Sequence, residues 1–207
     1  MDNTQKYCFI HIPKNAGTAI VKSLNREIVW YVGHHSIGVQ SLSLPKDIKC
    51  FAVVRNPFAR LLSWFMYHKG SGNVGATHLK HYRLTDSFKQ WVIEKKCFHD
   101  DSNVSDYPKF LPKDNQDIYC QNNWIKNTAG IPCKILRYEN LDEEWEKFRG
   151  ELQAEKLKIE NETRIKYHTY DKNDWRSHYD QETIDCVSNM PGIKEDMETF
   201  NYTFEED

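Results

Sequence analysis

Residues 8 to 18 read Cys-Phe-Ile-His-Ile-Pro-Lys-Asn-Ala-Gly-Thr and hold the residue types of an anion site. An apolar run leads into a turn bearing Lys14, and the pattern predicts a helix from Thr18. The first N–H groups of a helix lack internal acceptors and lie at the positive end of its dipole. Gly17 is expected to let a phosphate approach the backbone, with the Lys14 ammonium at the mouth. His11, placed inside the predicted strand, is expected to be structural. The stretch is not a Walker A loop: it lacks the first glycine and the Gly-Lys-Ser/Thr ending that places a hydroxyl on Mg²⁺.

A second segment has complementary chemistry. Residues 50 to 68 read Cys-Phe-Ala-Val-Val-Arg-Asn-Pro-Phe-Ala-Arg-Leu-Leu-Ser-Trp-Phe-Met-Tyr-His. Cys50 to Val54 form a short apolar run of buried-strand type, and Asn56-Pro57 marks the turn into a helix. On that helix Leu61, Leu62, Phe65 and Met66 make an apolar stripe, while Arg60, Ser63 and Tyr67 fall on the opposite side. Arg55, at the strand's end, is expected beside the helix's start, where an arginine and a helix-borne serine can grip a phosphate from two sides.

In this order, each after a strand, the two segments resemble the two nucleotide-binding signatures of PAPS-dependent sulfotransferases. PAPS is 3′-phosphoadenosine-5′-phosphosulfate, and its desulfated product is PAP. The nearest branch is the carbohydrate O-sulfotransferases related to the heparan 2-O- and chondroitin/dermatan enzymes. Leu136-Arg137-Tyr138-Glu139-Asn140-Leu141 resembles that family's late strand and turn. Ile193 to Phe204, with Asp196, Phe200 and Tyr202, resembles its closing helix and aromatic tail. The likeness is strong over 8–68 and weak over 70–130.

The resemblance implies an α/β fold, a P-loop-NTPase-like parallel sheet flanked by helices, as a single domain over residues 1–207. It implies sulfuryl transfer from PAPS to a hydroxyl acceptor, expected to be a carbohydrate, with no metal. Lys14, Asn15, Ala16, Gly17, Thr18 and Ala19 would hold the 5′-phosphosulfate, and Arg55 and Ser63 the 3′-phosphate. Arg60 would orient the nucleotide or brace the turn. Arg164 and Lys166, in a late loop, are candidates for closing over the adenine and 3′-phosphate. A small-molecule kinase of P-loop type and a nucleotide-binding module without turnover are the alternatives.

Transfer to a hydroxyl requires in-line placement, charge stabilisation and removal of the acceptor's proton. Histidine suits that last task near neutral pH. The segment Tyr31-Val32-Gly33-His34-His35-Ser36 lies where the resembled family carries its base, so His34 and His35 are the candidates, with His35 preferred. Local packing in a loop is the competing role for both. Gln121, Asn122 and Trp124 combine amides with an aromatic ring as sugar sites do, although Trp124 also reads as core. His78 and His81 form a His-x-x-His pair with no third ligand nearby, so no metal is expected there.

Positioning these groups requires alternating strands and helices. Ile20, Val21, Leu24 and Ile28 give the first helix a buried face. Phe88, Trp91 and Val92 mark another helix, Ile118, Trp124 and Ile125 a third, and Leu141, Trp145, Phe148 and Leu152 a fourth. Cys133 to Leu136 reads as a strand, and residues 69–86 and 98–116 read as loops. That alternation favours a parallel sheet covered by helices.

Over 207 residues, 28 Lys and Arg stand against 30 Asp and Glu, so no global basic field recruits nucleic acid. No run approaches the roughly 18 apolar residues of a membrane span. The opening Met-Asp-Asn-Thr-Gln-Lys lacks a signal peptide's apolar core. Six cysteines without a Cys-x-x-Cys pair are expected to be reduced, which implies a cytoplasmic setting. Sequons at Asn103, Asn161 and Asn201 pull the other way, toward a lumenal setting if the chain is an excised domain. Oligomeric state is left open.

Overall fold

A computed structural model describes residues 6–32, 47–70, 85–94, 120–125, 131–157 and 174–206. The chain divides into two compact units, residues 1–55 with 110–160 and residues 56–109 with 161–207.

The first unit is an α/β layer built on four parallel strands. These are β1 (Tyr7–Ile10), β2 (Val29–Val32), β3 (Lys49–Val54) and β4 (Cys133–Arg137), in the order β2-β1-β3-β4. Tyr7 pairs with Val29 and Lys49, and Cys50 with Cys133. Helices α1 (Gly17–Ser23) and α5 (Leu141–Phe148) cover one face of this sheet. Tyr7, Phe9, Phe51, Val53 and Leu136 of the strands pack there with Ile20, Leu141, Trp145 and Phe148. Phe51 meets Phe9 at 5.0 Å and Phe148 at 5.2 Å between ring centres, the latter edge to face. Each such side chain, once fully buried, contributes roughly 1.5–3 kcal/mol. The alternate residues Cys8, Ile10, Cys50, Ala52 and Val54 are buried as well, so both faces of β1 and β3 are covered, as parallel strands require.

Cys8, Cys50 and Cys133 stand in one row across three strands. All three are free thiols, as are Cys120 and Cys186. The hydrogen bond with Cys50, and then burial, push the Cys8 thiol well above its ordinary value, so it behaves as a small apolar group. Cys97 lies outside the described residues.

Two expectations about this layer need correction. The first helix stops at Ser23, so Leu24 is an extended cap and Ile28 lies in a turn. Asn25 is the physical reason: its side-chain oxygen accepts from Glu27 N–H at 3.0 Å, and its carbonyl accepts from Ile28 and Val29. Such local bonds give the backbone an alternative to the helix ladder. Val29–Val32 form strand β2, an element the sequence pattern does not set apart. His11, for its part, follows β1 and is not within it.

The second unit contains α2 (Pro57–Gly70), α3 (Phe88–Ile93), a 3₁₀ turn (Trp175–His178), α6 (Gln181–Ser188) and α7 (Pro191–Phe200). A further short helix, α4 (Asn122–Ile125), belongs to the first unit. Asn56 starts α2 by accepting from Phe58 N–H at 3.1 Å, and Pro57 follows where its missing N–H costs nothing. The Asn56 amide also donates to the carbonyls of Thr203 and Glu206, so the helix start and the chain's end are tied together. Phe58, Trp175, Tyr179 and Phe204 form one aromatic cluster, with Tyr179 OH donating to Phe58 O at 2.8 Å. Expected amphipathy of α2 gives way to burial on every side over 57–65, with Arg60 and Ser63 included. No described helix is long and apolar enough to cross a membrane.

Asp180 caps α6 by accepting from the Thr183 N–H and hydroxyl, and its other oxygen meets Lys89 of α3 at 2.6 Å. Lys89 first, then Thr183, holds this carboxyl well below its ordinary value of 3.8. A carboxyl depressed in the folded state stabilises it fully above the unfolded value, and that contribution is lost as pH falls through the folded one. Asp180→Asn is therefore expected to melt a few degrees earlier than the parent at neutral pH, with the gap closing below about pH 4. Thermal melts from pH 7 to pH 2 check this; a gap independent of pH would contradict it.

Candidate functional site

The sheet order reverses at β1 and β3. The chain leaves β1 toward β2 on one side, whereas the strand beyond β3 is β4 on the other. In open α/β sheets, ligands bind outside the carboxyl ends of the strands at such a switch point. The Lys14 loop follows the carboxyl end of β1, and Arg55 directly follows that of β3.

The loop is strained where no glycine relieves it. Lys14 has φ 72° and Ala16 has φ 59°, both left-handed. A non-glycine residue in that region costs roughly 1–3 kcal/mol, and such residues cluster at ligand clamps and active sites. Ala16 is the N-cap of α1 and supplies no side-chain cap to the helix start. Thr18 is exposed, and Ala16 and Ala19 are half-buried.

Asn15 is the loop's anchor. It is buried, and its Nδ2 donates at 2.7 Å both to Val53 O and to Gln121 Oε1. Packing also requires a glycine at position 17. A Cβ at Gly17 would lie 1.8 Å from His11 Nε2, so the imidazole fills the space that glycine leaves. His11 in turn stacks on Phe9 at 5.7 Å.

Arg55 is only 3% exposed. Its Nη1 donates to Lys14 O at 3.4 Å, and its guanidinium lies 4.3 Å from the centre of the Tyr138 ring. The Nε hydrogen is buried without an acceptor, and no carboxylate among the described residues pairs with the charge. Burying a cation costs several kcal/mol unless an opposite charge and hydrogen bonds compensate. A carbonyl and a ring face compensate only in part. Asn15 Oδ1, also buried, is a second unpaired atom at the same place. An anion seated here would supply the missing counter-charge.

Tyr138 reaches Arg55 through the sheet register. Val54 pairs with Arg137, and Tyr138 N–H continues the ladder by donating to Val54 O at 2.8 Å. The next residue on each strand then stands side by side. Gln121 completes the group: its amide brackets the Arg55 backbone, with N–H donating to Oε1 at 2.9 Å and Nε2 donating to the carbonyl at 2.8 Å. Fully buried and so bonded, Gln121 does not face a sugar as expected, because both ends of its amide are used inside the protein. Trp124 is buried, in keeping with its reading as core, and Asn122 is half-buried.

The structure thus brings Lys14, Asn15, Arg55, Gln121 and Tyr138 together in the first unit. Arg60 and Ser63 are buried on α2 in the second unit, with the Arg60 guanidinium 5.9 Å from the Trp64 ring centre. His34, His35, Arg164, Lys166, His78 and His81 lie outside the described residues. The sequence carried no sign of the Gln121 bracket, whereas Tyr138 could have been found from strand register, since it and Arg55 each follow a strand's last residue. Comparison of the chain with family models, with curated proteins and with solved structures found no match in any of the three.

Proposed function

We propose that the chain is a sulfotransferase that carries the sulfuryl group of PAPS to a hydroxyl acceptor of carbohydrate class, on a P-loop-NTPase-like fold. The observation that carries this is the buried Arg55 guanidinium, with no carboxylate partner among the described residues, beside a strained lysine-bearing loop at the sheet's switch point. That arrangement suits a phosphate-bearing ligand. The preference for PAPS over a nucleoside triphosphate rests on the two sequence segments and on the loop's lack of a Gly-Lys-Ser or Gly-Lys-Thr ending.

PAPS supplies an activated sulfuryl group and a good leaving phosphate when bound. The residues of the chain would do the rest. Arg55 and Ser63 would hold the 3′-phosphate, which distinguishes PAP from AMP. Lys14 and the first N–H groups of α1 would neutralise the 5′ end and the charge that grows on the leaving oxygen. His34 or His35 would take the acceptor's proton as its oxygen bonds to sulfur.

The test is Lys14→Ala. It is expected to lower transfer by about a hundredfold while weakening PAP binding by less than about tenfold, because the ammonium is most valuable in the transition state. Transfer rates with a good acceptor, read beside PAP titrations, decide it. Near-normal transfer by Lys14→Ala would remove the assignment, and Mg²⁺-dependent phosphate transfer from ATP would favour the kinase.

A further inference from the structure

Arg55 stands one residue past the end of the β3 ladder, where no strand peptide is left to pair with it. Its backbone is nevertheless satisfied on both sides by one side chain. Gln121 accepts the Arg55 N–H at 2.9 Å and donates to the Arg55 carbonyl at 2.8 Å, as a neighbouring strand would. The same Oε1 also accepts from Asn15 Nδ2 at 2.7 Å, and that Nδ2 donates in addition to Val53 O.

The directions of these bonds are fixed by chemistry. A backbone N–H only donates and a carbonyl only accepts, so the Gln121 amide has one orientation. Asn15 must likewise present its NH₂ group to Val53 O, which leaves its Oδ1 as the buried atom without a partner. One amide from a third chain segment therefore holds both halves of the anion site: the loop after β1 through Asn15, and the residue after β3 through its backbone.

We infer that Gln121 is the positioning residue of this site, fixing the direction of the Arg55 guanidinium relative to the Lys14 loop. The inference rests on the phosphate-binding reading above. Without Gln121, the N–H and carbonyl of Arg55 and one hydrogen of Asn15 lose their partners in a buried place. Unpaired buried groups of this kind drive local rearrangement, and here the group that moves carries the binding charge.

Gln121→Glu tests this with a readout that a merely architectural role would not move. The ionised side chain keeps two acceptors but loses the donor to Arg55 O, and it sets a negative charge beside Arg55 that competes with an anionic ligand. The protonated acid restores one donor and one acceptor in nearly the same shape. PAP and inorganic pyrophosphate are titrated by calorimetry into parent and variant from about pH 8 to about pH 5, a range that brackets a buried carboxyl's titration. At the upper end the variant is expected to bind about 10- to 100-fold more weakly than the parent. The ratio of variant to parent is expected to approach one at the lower end, whereas Gln121→Leu stays weak throughout. A ratio independent of pH, or parent-like binding by Gln121→Leu, overturns the inference.

If Gln121→Glu does not fold, amide hydrogen exchange in the parent decides instead. The Arg55 N–H is expected to exchange slowly and to slow further with PAP, and exchange there that is fast or indifferent to PAP overturns the inference. Parent protein that binds pyrophosphate but not PAP, with the pH-dependent ratio intact, would remove the sulfotransferase reading and leave the role of Gln121 standing. Binding of neither ligand removes both.

Discussion

Arg55→Met is expected to weaken PAP binding by roughly a hundredfold or more, while the variant without ligand unfolds no earlier than its parent. Most losses of a buried, bonded side chain reduce both affinity and stability. Arg55 is different because its charge is buried beside a carbonyl oxygen and a Tyr138 ring, with Nε unpaired and no carboxylate among the described residues to balance it. An unbranched apolar side chain of similar length can fill the same space against Tyr138 without the desolvation penalty. The lost affinity is large because a guanidinium makes charge-assisted, often paired bonds to a phosphate. Thermal melts with and without PAP separate the two effects, since a ligand raises stability according to its affinity. A variant that melts much earlier yet still gains the full PAP shift would show that Arg55 is a structural cation and not a ligand-binding one.

Loss of the acceptor base should have the largest effect on rate. Replacing one of His34 and His35 with alanine is expected to lower sulfate transfer by about two to four orders of magnitude, the range typical of a lost general base. PAP affinity should stay nearly unchanged, because a base of this kind touches the acceptor and not the nucleotide. The expectation stands on sequence position and on the chemistry of a hydroxyl nucleophile. The chain reaches this pair directly from β2, which is hydrogen-bonded to β1, the strand that leads into the Lys14 loop. Separate measurements of transfer and PAP binding for His34→Ala and His35→Ala assign the role, with a mild defect expected for the other histidine. If both variants transfer normally, the base lies elsewhere, and His68, His78 and Glu139 are next. If both lose PAP binding together with activity, the pair shapes the pocket.

The parts of the fold that are legible in the sequence are those marked by local contrasts. β1 and β3 are short apolar runs that lead to a cation, Lys14 four residues beyond β1 and Arg55 directly after β3, and the Asn56-Pro57 turn into α2 follows from fixed backbone preferences. β4 is legible for the same reason, as is the Leu141, Trp145, Phe148 stripe of α5. β2 is not, because its apolar side chains continue the spacing of the helix before it. The turn made by Asn25 breaks that spacing through side-chain bonds that a hydrophobic pattern does not contain.

The candidate site divides in the same way. Lys14 and Arg55 stand out because a lysine in the loop after one buried strand and an arginine directly after another lack a packing explanation. Gln121 does not stand out: its meaning lies in bonds to Asn15 and Arg55, which are 106 and 66 residues away in the chain. Nothing in residue type foretells such pairing. The packing reason for a glycine at position 17, the His11 ring folded against it, is hidden in the same way.

The most direct test of the central proposal is calorimetric titration of the unmodified protein with PAP, AMP and ATP in the absence and presence of Mg²⁺. PAP alone carries both the 5′-phosphate expected at the Lys14 loop and the 3′-phosphate expected at Arg55 and Ser63. It is therefore expected to bind at least about a hundredfold more tightly than AMP, the difference of one well-held phosphate, and to do so without metal. Equal affinity for PAP and AMP would contradict the 3′-phosphate site, and tighter binding of ATP that requires Mg²⁺ would contradict the proposal as a whole.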